Sequence, residues 1–322
     1  LGGRYRDGIT KGLYDQGEIM AKTSFQGPVR SKENFKLYSV ATSTGVDSDR
    51  TQGPGVKDAR RFYLEEYFKQ KPALNAALDS SGTTTTAAEL TTFAIANKDF
   101  ETLGTNYTTA LTTFASTSAG ILMTTATADQ DQAILLPHLD TNQSVWSGTK
   151  WGTENSVEWE CSLQIAQTDN EKVWAGLKLT NDQLIATDDD QAFFKFATDA
   201  TNGESLTSAT KWNFVHSIGG TDYISILPIT VAANTPYHFK IKIDSDRKAT
   251  IFVNGIQYHI TTTSGSTGGT AVTAVQPSET AVKTAAITND VDLIPYIGIE
   301  NGDAAAAVLN VHYTAISRNV YE

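Results

Sequence analysis

Two glutamates in the segment VEWECSL, Glu158 and Glu160, have the i, i+2 spacing that places two carboxyl groups on one face of a β-strand. Retaining glycosidases hold a pair of carboxyl groups about 5 Å apart across a cleft. The segment lacks the third acidic residue of the E-x-D-x-x-E strand that sandwich-fold glycanases carry. We therefore interpret both glutamates as solvated side chains, and we expect that the chain is not an enzyme.

Two acidic loops, Asp129–Gln132 (DQDQ) and Asp188–Gln191 (DDDQ), offer the oxygen ligands that Ca²⁺ prefers. Neither loop has EF-hand spacing, and acidic loops are common in a chain with 36 Asp and Glu residues. The histidines show no H-x-H or H-x-x-x-H spacing, which argues against zinc. Phosphate-binding glycine loops and a G-x-S-x-G elbow are also absent from the sequence. We expect no bound metal and no cofactor.

Tryptophan side chains could stack on sugar rings. Trp159 and Trp174 lie within strand patterns and are expected in the core, where aromatic area is usually buried. Trp146 and Trp151 flank the loop VWSGTKWGTEN and are the better candidates for contact with a host glycan. The single cysteine, Cys161, excludes an intramolecular disulfide and is expected to act as a small core side chain.

From about Tyr107 onward the sequence consists of short segments rich in aromatic and β-branched residues, bounded by Gly, Asn, Asp or Pro. In YHFKIKID (Tyr237–Asp244) apolar and polar residues alternate, so His238 and Lys240 are expected on a solvent face. Asn254-Gly255 predicts a tight hairpin. A dozen such segments without intervening helical patterns predict an all-β sandwich of two sheets.

The N-terminal region has a different pattern. Residues 1–56 are rich in Gly, Ser, Thr and Asp, and predict an extended arm with one strand over Phe35–Thr42. The segment Asp58–Lys71 (DARRFYLEEYFKQK) has apolar residues near the helical spacing and predicts a short helix. A Thr-rich segment follows. We expect an arm with a short helix over residues 1–80, a connector over 81–106 and the sandwich over 107–322.

Charge is distributed unevenly along the chain. Residues 1–71 contain 13 Lys and Arg against 9 Asp and Glu, whereas the formal net charge of the whole chain is −11. This asymmetry favours an arm that docks on an acidic surface. An acidic body would repel phosphates, so no nucleic-acid partner is expected. No apolar run approaches the roughly 18 residues of a membrane span, so no membrane insertion is expected. Residues 1–19, which precede Met20, lack the apolar core of a signal peptide and are interpreted as an extension.

The segment Tyr237–Ile260, followed by DLIPYIGIENGDAAAAVLNVHYTAISR, resembles the closing strands of concanavalin A-like (laminin-G-like) sandwiches. In that family a strand ending in Asp precedes a hairpin strand ending in V-N-G or V-D-G. The resemblance covers about residues 107–322 and implies a jelly-roll sandwich. It implies no activity, because this fold serves lectins, glycanases and structural modules alike.

A second resemblance extends over most of the chain. MAKTSFQGPVRSKENFK (Met20–Lys36) resembles the openings of virion structural proteins from tailed phages that infect marine cyanobacteria. DQAILLPHLDTNQSVWSGTKWGTENSVEWEC and IPYIGIENG…LNVHYTAISR resemble segments of the same group. The resemblance implies a capsid-associated component, and we expect a decoration (cement) protein on the outer surface of the head.

The virion resemblance and the charge pattern together predict that the arm attaches the protein to the major capsid protein or another virion protein. The side chains expected to make this contact are Phe25, Val29, Arg30, Phe35 and Tyr38. A homo-oligomer is also expected, with a trimer at a lattice point of matching symmetry as one form. The alternative is a lectin-like adhesin, or a tail or fibre component, that binds host surface glycans.

Overall fold

The computed structural model describes residues 61–74, 99–116, 119–137, 150–198, 206, 208–265 and 267–320. No α-helix lies among these residues, and hence none that is long and apolar enough to cross a membrane. The strands are β1 (Arg61–Glu66), β2 (Ala73–Leu74), β3 (Glu101–Leu103), β4 (Thr112–Phe114), β5 (Ile121–Thr124), β6 (Gln132–Leu136), β7 (Glu158–Ile165), β8 (Glu171–Lys178), β9 (Gln191–Ala197), β10 (Lys211–Ile218), β11 (Thr221–Thr230), β12 (Pro236–Ile243), β13 (Ala249–Val253), β14 (Ile256–Tyr258), β15 (Thr270–Ala271), β16 (Ile294–Asn301) and β17 (Val308–Asn319).

These strands form two sheets. The eight-stranded sheet has the order β14-β13-β12-β7-β17-β5-β4, and β1 pairs with β17 beside this path. The nine-stranded sheet has the order β15-β11-β10-β9-β8-β16-β6-β3-β2. Nearly all pairings are antiparallel and many join strands that are distant in the chain, such as β7 with β17 and β8 with β16. The all-β sandwich predicted from the sequence is confirmed.

Alternating burial along the strands builds the core between the sheets. In β7, Trp159, Cys161 and Leu163 are fully buried and the residues between them are partly exposed. β12 shows the same alternation, as its sequence predicts. The facing sheets meet through aromatic contacts, including a stacked pair formed by Phe194 and Phe239 with ring centroids 4.4 Å apart. Such pairs contribute about 0.5–1.5 kcal/mol each beyond the burial of apolar area.

The predicted hairpin at Asn254-Gly255 is also confirmed. These two residues join β13 to β14 with positive φ angles of 51° and 78°. Positive φ at both central positions is the type I′ geometry, whose twist matches that of the flanking strands. The turn before β13 is closed by the Asp244 carboxylate, which accepts the backbone N–H groups of Asp246 and Lys248.

The short helix predicted within Asp58–Lys71 is wrong, because Arg61–Glu66 forms strand β1. All six residues of β1 pair with β17, from Thr314 to Asn319. The open side of β17 offers backbone partners along the whole of Arg61–Glu66, whereas a short helix leaves the backbone groups of its first and last turns without partners. Leu64 points into the core, and Phe62, on the same face of the strand, packs beside Trp151 at the edge of the core and remains 36 % exposed.

The division of the chain into arm, connector and sandwich stays a prediction, since much of residues 1–106 lies outside the described residues. Two described segments of that region pair with the sandwich: β1 with β17, and β3 with β6. The strand predicted over Phe35–Thr42 lies outside the described residues. So do the five predicted attachment residues, Phe25, Val29, Arg30, Phe35 and Tyr38.

Candidate functional site

The outer face of the eight-stranded sheet carries an ionic cluster, defined here as Arg61, Glu158, Glu160, Lys240 and Lys242. Strand register assembles it, because Lys240 lies opposite Glu160 and Lys242 lies opposite Glu158 on the adjacent strands β12 and β7. The carboxylate of Glu158 lies 3.1 Å from the Lys240 ammonium, 3.7 Å from that of Lys242 and 3.8 Å from the Arg61 guanidinium.

The prediction that Glu158 and Glu160 share one strand face is confirmed. Their side chains remain 26 % and 33 % exposed, as expected of a face turned to water. They are also ion-paired: Lys240 contacts both carboxylates, at 3.1 Å and 3.9 Å. Each exposed pair contributes little to stability by itself, and the network instead holds the charged groups in fixed positions.

Next to the ionic cluster lies an aromatic row, defined as Tyr67, Tyr313 and His238. The rings of Tyr67 and Tyr313 stack with centroids 5.7 Å apart and planes 14° from parallel. Tyr313 and His238 stack at 5.9 Å and 20°. Tyr67 follows β1 directly and is 58 % exposed, so one end of the row is open to solvent.

A chain of hydrogen bonds connects the row to the cluster. Nε2 of His238 lies 2.7 Å from the hydroxyl of Tyr313, which in turn bonds to the Glu160 carboxylate. A phenol has one hydrogen to donate, and a carboxylate can only accept. Tyr313 therefore donates to Glu160, and His238 donates to Tyr313 from a neutral ring protonated at Nε2.

A small residue allows His238 and Tyr313 to meet across an intervening strand. Both lie opposite Ser162 of β7, His238 from β12 and Tyr313 from β17. Strands two positions apart are separated by about 9.5 Å, a gap that the two rings bridge above the short serine side chain.

A β-bulge turns Tyr313 toward this face. β17 advances two residues, from Val311 to Tyr313, while β7 advances one, from Leu163 to Ser162. Strict alternation after the buried Val311 would place Tyr313 inside the sandwich. The extra residue, His312, reverses the alternation and leaves Tyr313 outside. Strand periodicity alone does not reveal a bulge, so sequence reasoning missed both Tyr313 and its bond to His238.

The environment shifts the pKa values of both ring groups toward their neutral forms. Burial lowers the pKa of His238, an effect opposed by the Glu160 carboxylate and reinforced by the Lys240 ammonium. Burial raises the pKa of the Tyr313 hydroxyl, and the negative charge of Glu160 raises it further. Near neutral pH the pair consists of a neutral imidazole and a protonated phenol, which suits hydrogen bonding to uncharged hydroxyl groups.

The outer face of the nine-stranded sheet contains a second polar cluster, and it is closed. Lys172, Lys178 and Lys195 are fully buried there. Lys172 pairs with Glu300 at 2.7 Å, and Lys178 pairs with Asp188 at 3.0 Å. The Lys195 ammonium donates to the Gln183 side chain at 2.8 Å. Glu300 and Asp188 balance the charges of Lys172 and Lys178, which would be costly to bury alone. The partner of Lys195 is uncharged, and burial lowers the pKa of Lys195 well below its ordinary value. We assign the cluster a structural role.

Of the two tryptophans predicted to contact a glycan, the structure describes only Trp151. Trp146 lies outside the described residues. Trp151 is 1 % exposed and packs in the core beside Phe62, so its ring presents no open face in this structure. Contact of a glycan with this loop stays a prediction.

The acidic loops use their carboxylates to hold the backbone. Asp188 accepts the N–H groups of Leu179 and Thr180. Asp131 accepts the N–H of Ala128 and the side-chain amide of Asn106. Within the part of the chain that the structure describes, no three His, Cys, Asp or Glu side chains are grouped as metal ligands.

The chain was compared with known families, curated proteins and solved structures. No family model matches the sequence, and no curated protein matches it. A solved family 7 alginate lyase, A1-II′ in complex with a product, is 11 % identical over 76 % of this chain and 93 % of its own, with a TM-score of 0.43. A protein of unknown function from Shewanella oneidensis MR-1 is 12 % identical over 92 % and 97 %, with a TM-score of 0.42. A Bacillus licheniformis β-glucanase is 12 % identical over 65 % and 82 %, with a TM-score of 0.39.

The two-sheet topology described above is that of a jelly-roll sandwich, as the resemblance to concanavalin A-like sandwiches implies. The expectation that the chain is not an enzyme has to be corrected, since structures similar to it include alginate lyases and a β-glucanase. At these identities the likeness shows the fold alone and transfers no activity or substrate to this chain.

Proposed function

We propose that this protein is a structural component of a phage virion, a decoration protein on the outer surface of the head. The support is the resemblance of Met20–Lys36 and of two later segments to virion structural proteins of cyanobacterial phages. A rigid sandwich joined to a basic N-terminal region suits a protein that attaches by one end and projects the other into solvent.

The pairing of β1 with β17 is the structural observation that best supports this arrangement. β1 begins at Arg61, and its guanidinium donates to the Ser317 hydroxyl and to the Asn319 side chain. The chain that precedes Arg61 is therefore joined to one defined position on the sheet. A partner bound to the N-terminal region would therefore be linked through β1 to the eight-stranded sheet. The partner we propose is the major capsid protein or another virion protein, with a homo-oligomer at a lattice point.

Truncation tests the attachment. Removal of residues 1–56 leaves β1 intact, so the variant should keep the thermal stability of the full chain and lose binding to particles that lack the protein. A second truncation, of residues 1–66, removes β1 and should lower the melting temperature as well. Particle binding by the first variant at full-length affinity would reject attachment through the arm. Labelled intact particles would then show whether the protein lies on the head or on the tail.

A second function, glycan binding, is favoured by the exposed end of the aromatic row. The open Tyr67 ring offers an apolar face, and the adjacent ionic cluster offers donors and acceptors for sugar hydroxyls at fixed positions. Large aromatic side chains with nearby polar groups are typical of recognition surfaces. This function is compatible with a position on the outside of a particle that meets a cell.

An oligosaccharide array tests glycan binding. Tyr67→Ala should reduce binding by about tenfold or more, the equivalent of about 1.4 kcal/mol. Phe114→Ala is the matched control, because Phe114 is 50 % exposed on β4 and lies outside the aromatic row. Equal loss in both variants, or full binding by Tyr67→Ala, would exclude the row as the binding surface. Loss with Trp146→Ala alone would assign the contact to the Trp146–Trp151 loop.

A further inference from the structure

One end of the sandwich contains buried oxygen atoms without hydrogen-bond donors. Glu171 begins β8 and Asn301 ends β16, and the two residues lie directly opposite each other in the antiparallel pair. Their side chains therefore share one face, with Cβ atoms about 5 Å apart. Glu171 is fully buried and Asn301 is 1 % exposed. Both carboxylate oxygens of Glu171 and the amide oxygen of Asn301 have no hydrogen-bond partner.

Backbone carbonyl groups add to this surplus of acceptors. The side-chain amide nitrogen of Asn301 lies 3.2 Å from the carbonyl oxygen of Ala126, 3.1 Å from that of Asp303 and 3.0 Å from that of Ala305. An amide nitrogen carries two hydrogens, so at least one of these three oxygens receives none from it. Two loops thus direct oxygen atoms toward the Asn301 side chain, beside a carboxyl group that has no partner.

The loops that surround this end are held in place by hydrogen bonds. Asn170 donates its side-chain amide to the Asp303 carboxylate at 3.0 Å, and the Asn301 backbone N–H donates to the Asp131 carbonyl at 3.1 Å. The nearby Asp169 carboxylate adds negative charge, and burial together with that charge raises the pKa of Glu171 to about 9. A buried carboxyl group with no donor and a second carboxylate nearby is costly unless a proton or a cation neutralises it.

We propose that Glu171, Asn301 and the surrounding carbonyl oxygens form a binding site for a hard divalent cation, of the Ca²⁺ class. Ca²⁺ binds carboxylate, amide and backbone carbonyl oxygens with flexible geometry. The Glu171 carboxylate and the Asn301 amide oxygen have no donor here, and at least one nearby carbonyl oxygen receives no hydrogen from Asn301. Mg²⁺ fits less well, because it keeps several waters in a strict octahedron and this position is buried. The site would join the ends of β8 and β16 to the loops before β6 and β17. It is independent of both proposed functions.

Calcium titration of the full chain, dialysed against EDTA, tests the site. Calorimetry should show binding with a Kd of about 10⁻⁴–10⁻³ M, as expected for a site with few carboxylates. About 5 mM Ca²⁺ should raise the melting temperature by about 2–4 °C, and Mg²⁺ should raise it less.

Two variants make the test specific. Glu171→Gln should fold in EDTA at least as well as the wild type, because it removes a buried ionisable group, and it should lose the calcium response. Asp246→Asn removes an exposed carboxylate in the turn before β13 and should keep the full response. A wild type that shows no calcium-dependent shift, or a Glu171→Gln variant that responds as strongly as the wild type, would overturn the proposal.

Discussion

Nε2 of His238 lies 2.7 Å from the hydroxyl oxygen of Tyr313, although a complete strand separates their backbones. The contact depends on the short Ser162 side chain between the two residues and on the bulge that turns Tyr313 outward. Two local features of the sheet thereby join an aromatic row to a charged cluster on a face that would otherwise be an ordinary solvated surface.

Substitutions of its two charged neighbours should shift the pKa of His238 in opposite directions. Glu160→Gln removes the negative charge that favours the imidazolium, so the pKa of His238 should fall further. Lys240→Gln removes the positive charge that disfavours the imidazolium, so the pKa of His238 should rise. NMR titration of the His238 ring measures both. Shifts of the same sign in the two variants would contradict the assignment of opposite charge effects to Glu160 and Lys240.

Gly298 should not tolerate a side chain. It lies opposite Trp174 in the β16–β8 pair, and a Cβ atom at this position would approach the indole ring to 2.2 Å. Both residues are central in the nine-stranded sheet, and Trp174 is fully buried. Gly298→Ala should lower the free energy of unfolding by about 1–3 kcal/mol, as overpacking does.

A double-mutant cycle in urea supplies the control for Gly298. Trp174→Leu removes the ring that the new methyl group meets, so the alanine should cost much less in that background than in the wild type. Additive effects of the two substitutions would show that the indole does not determine the cost.

Glu171 should make the protein less stable as the pH rises, when measured in EDTA. Its folded-state pKa of about 9 lies above its ordinary value of 4.5. Between these values the folded state keeps a proton that the unfolded chain has released. The free energy of unfolding should therefore fall with rising pH by up to about 1.4 kcal/mol per unit. Glu171→Gln should abolish this slope in urea titrations between pH 5 and 9, and an unchanged slope would contradict the assignment.

His216 should make the protein sensitive to acid. It is 1 % exposed, stacks on Tyr223 at 4.5 Å, and its Nδ1 atom has no hydrogen-bond partner. Burial lowers its pKa to about 3 from 6.5, so between these values the unfolded chain binds a proton that the folded state excludes. Stability should be lost as the pH falls through this window.

His216→Phe tests this acid sensitivity, because it keeps an aromatic ring beside Tyr223 and cannot be protonated. The difference in unfolding free energy between pH 7 and pH 4 should be smaller in the variant than in the wild type. An equal difference would assign the acid sensitivity to other groups.

The sequence by itself determined the strand class, the buried faces and the main hairpin. Alternation in Tyr237–Asp244 identified which residues face solvent, because successive side chains of a strand point to opposite sides. Asn254-Gly255 identified its turn, because the residues that tolerate positive φ at both central positions are few. These features depend on neighbours in the chain, so a local pattern is sufficient to predict them.

Tertiary structure decided the rest. Arg61–Glu66 forms a strand and not a helix because the open side of β17, about 250 residues later, offers backbone partners that a short helix lacks. Tyr313 faces outward because of a bulge, and Glu171 meets Asn301 because β8 pairs with β16. Pairing partners and register are set by the packing of whole sheets, and residues distant in the sequence carry no local signal of the contacts they will make.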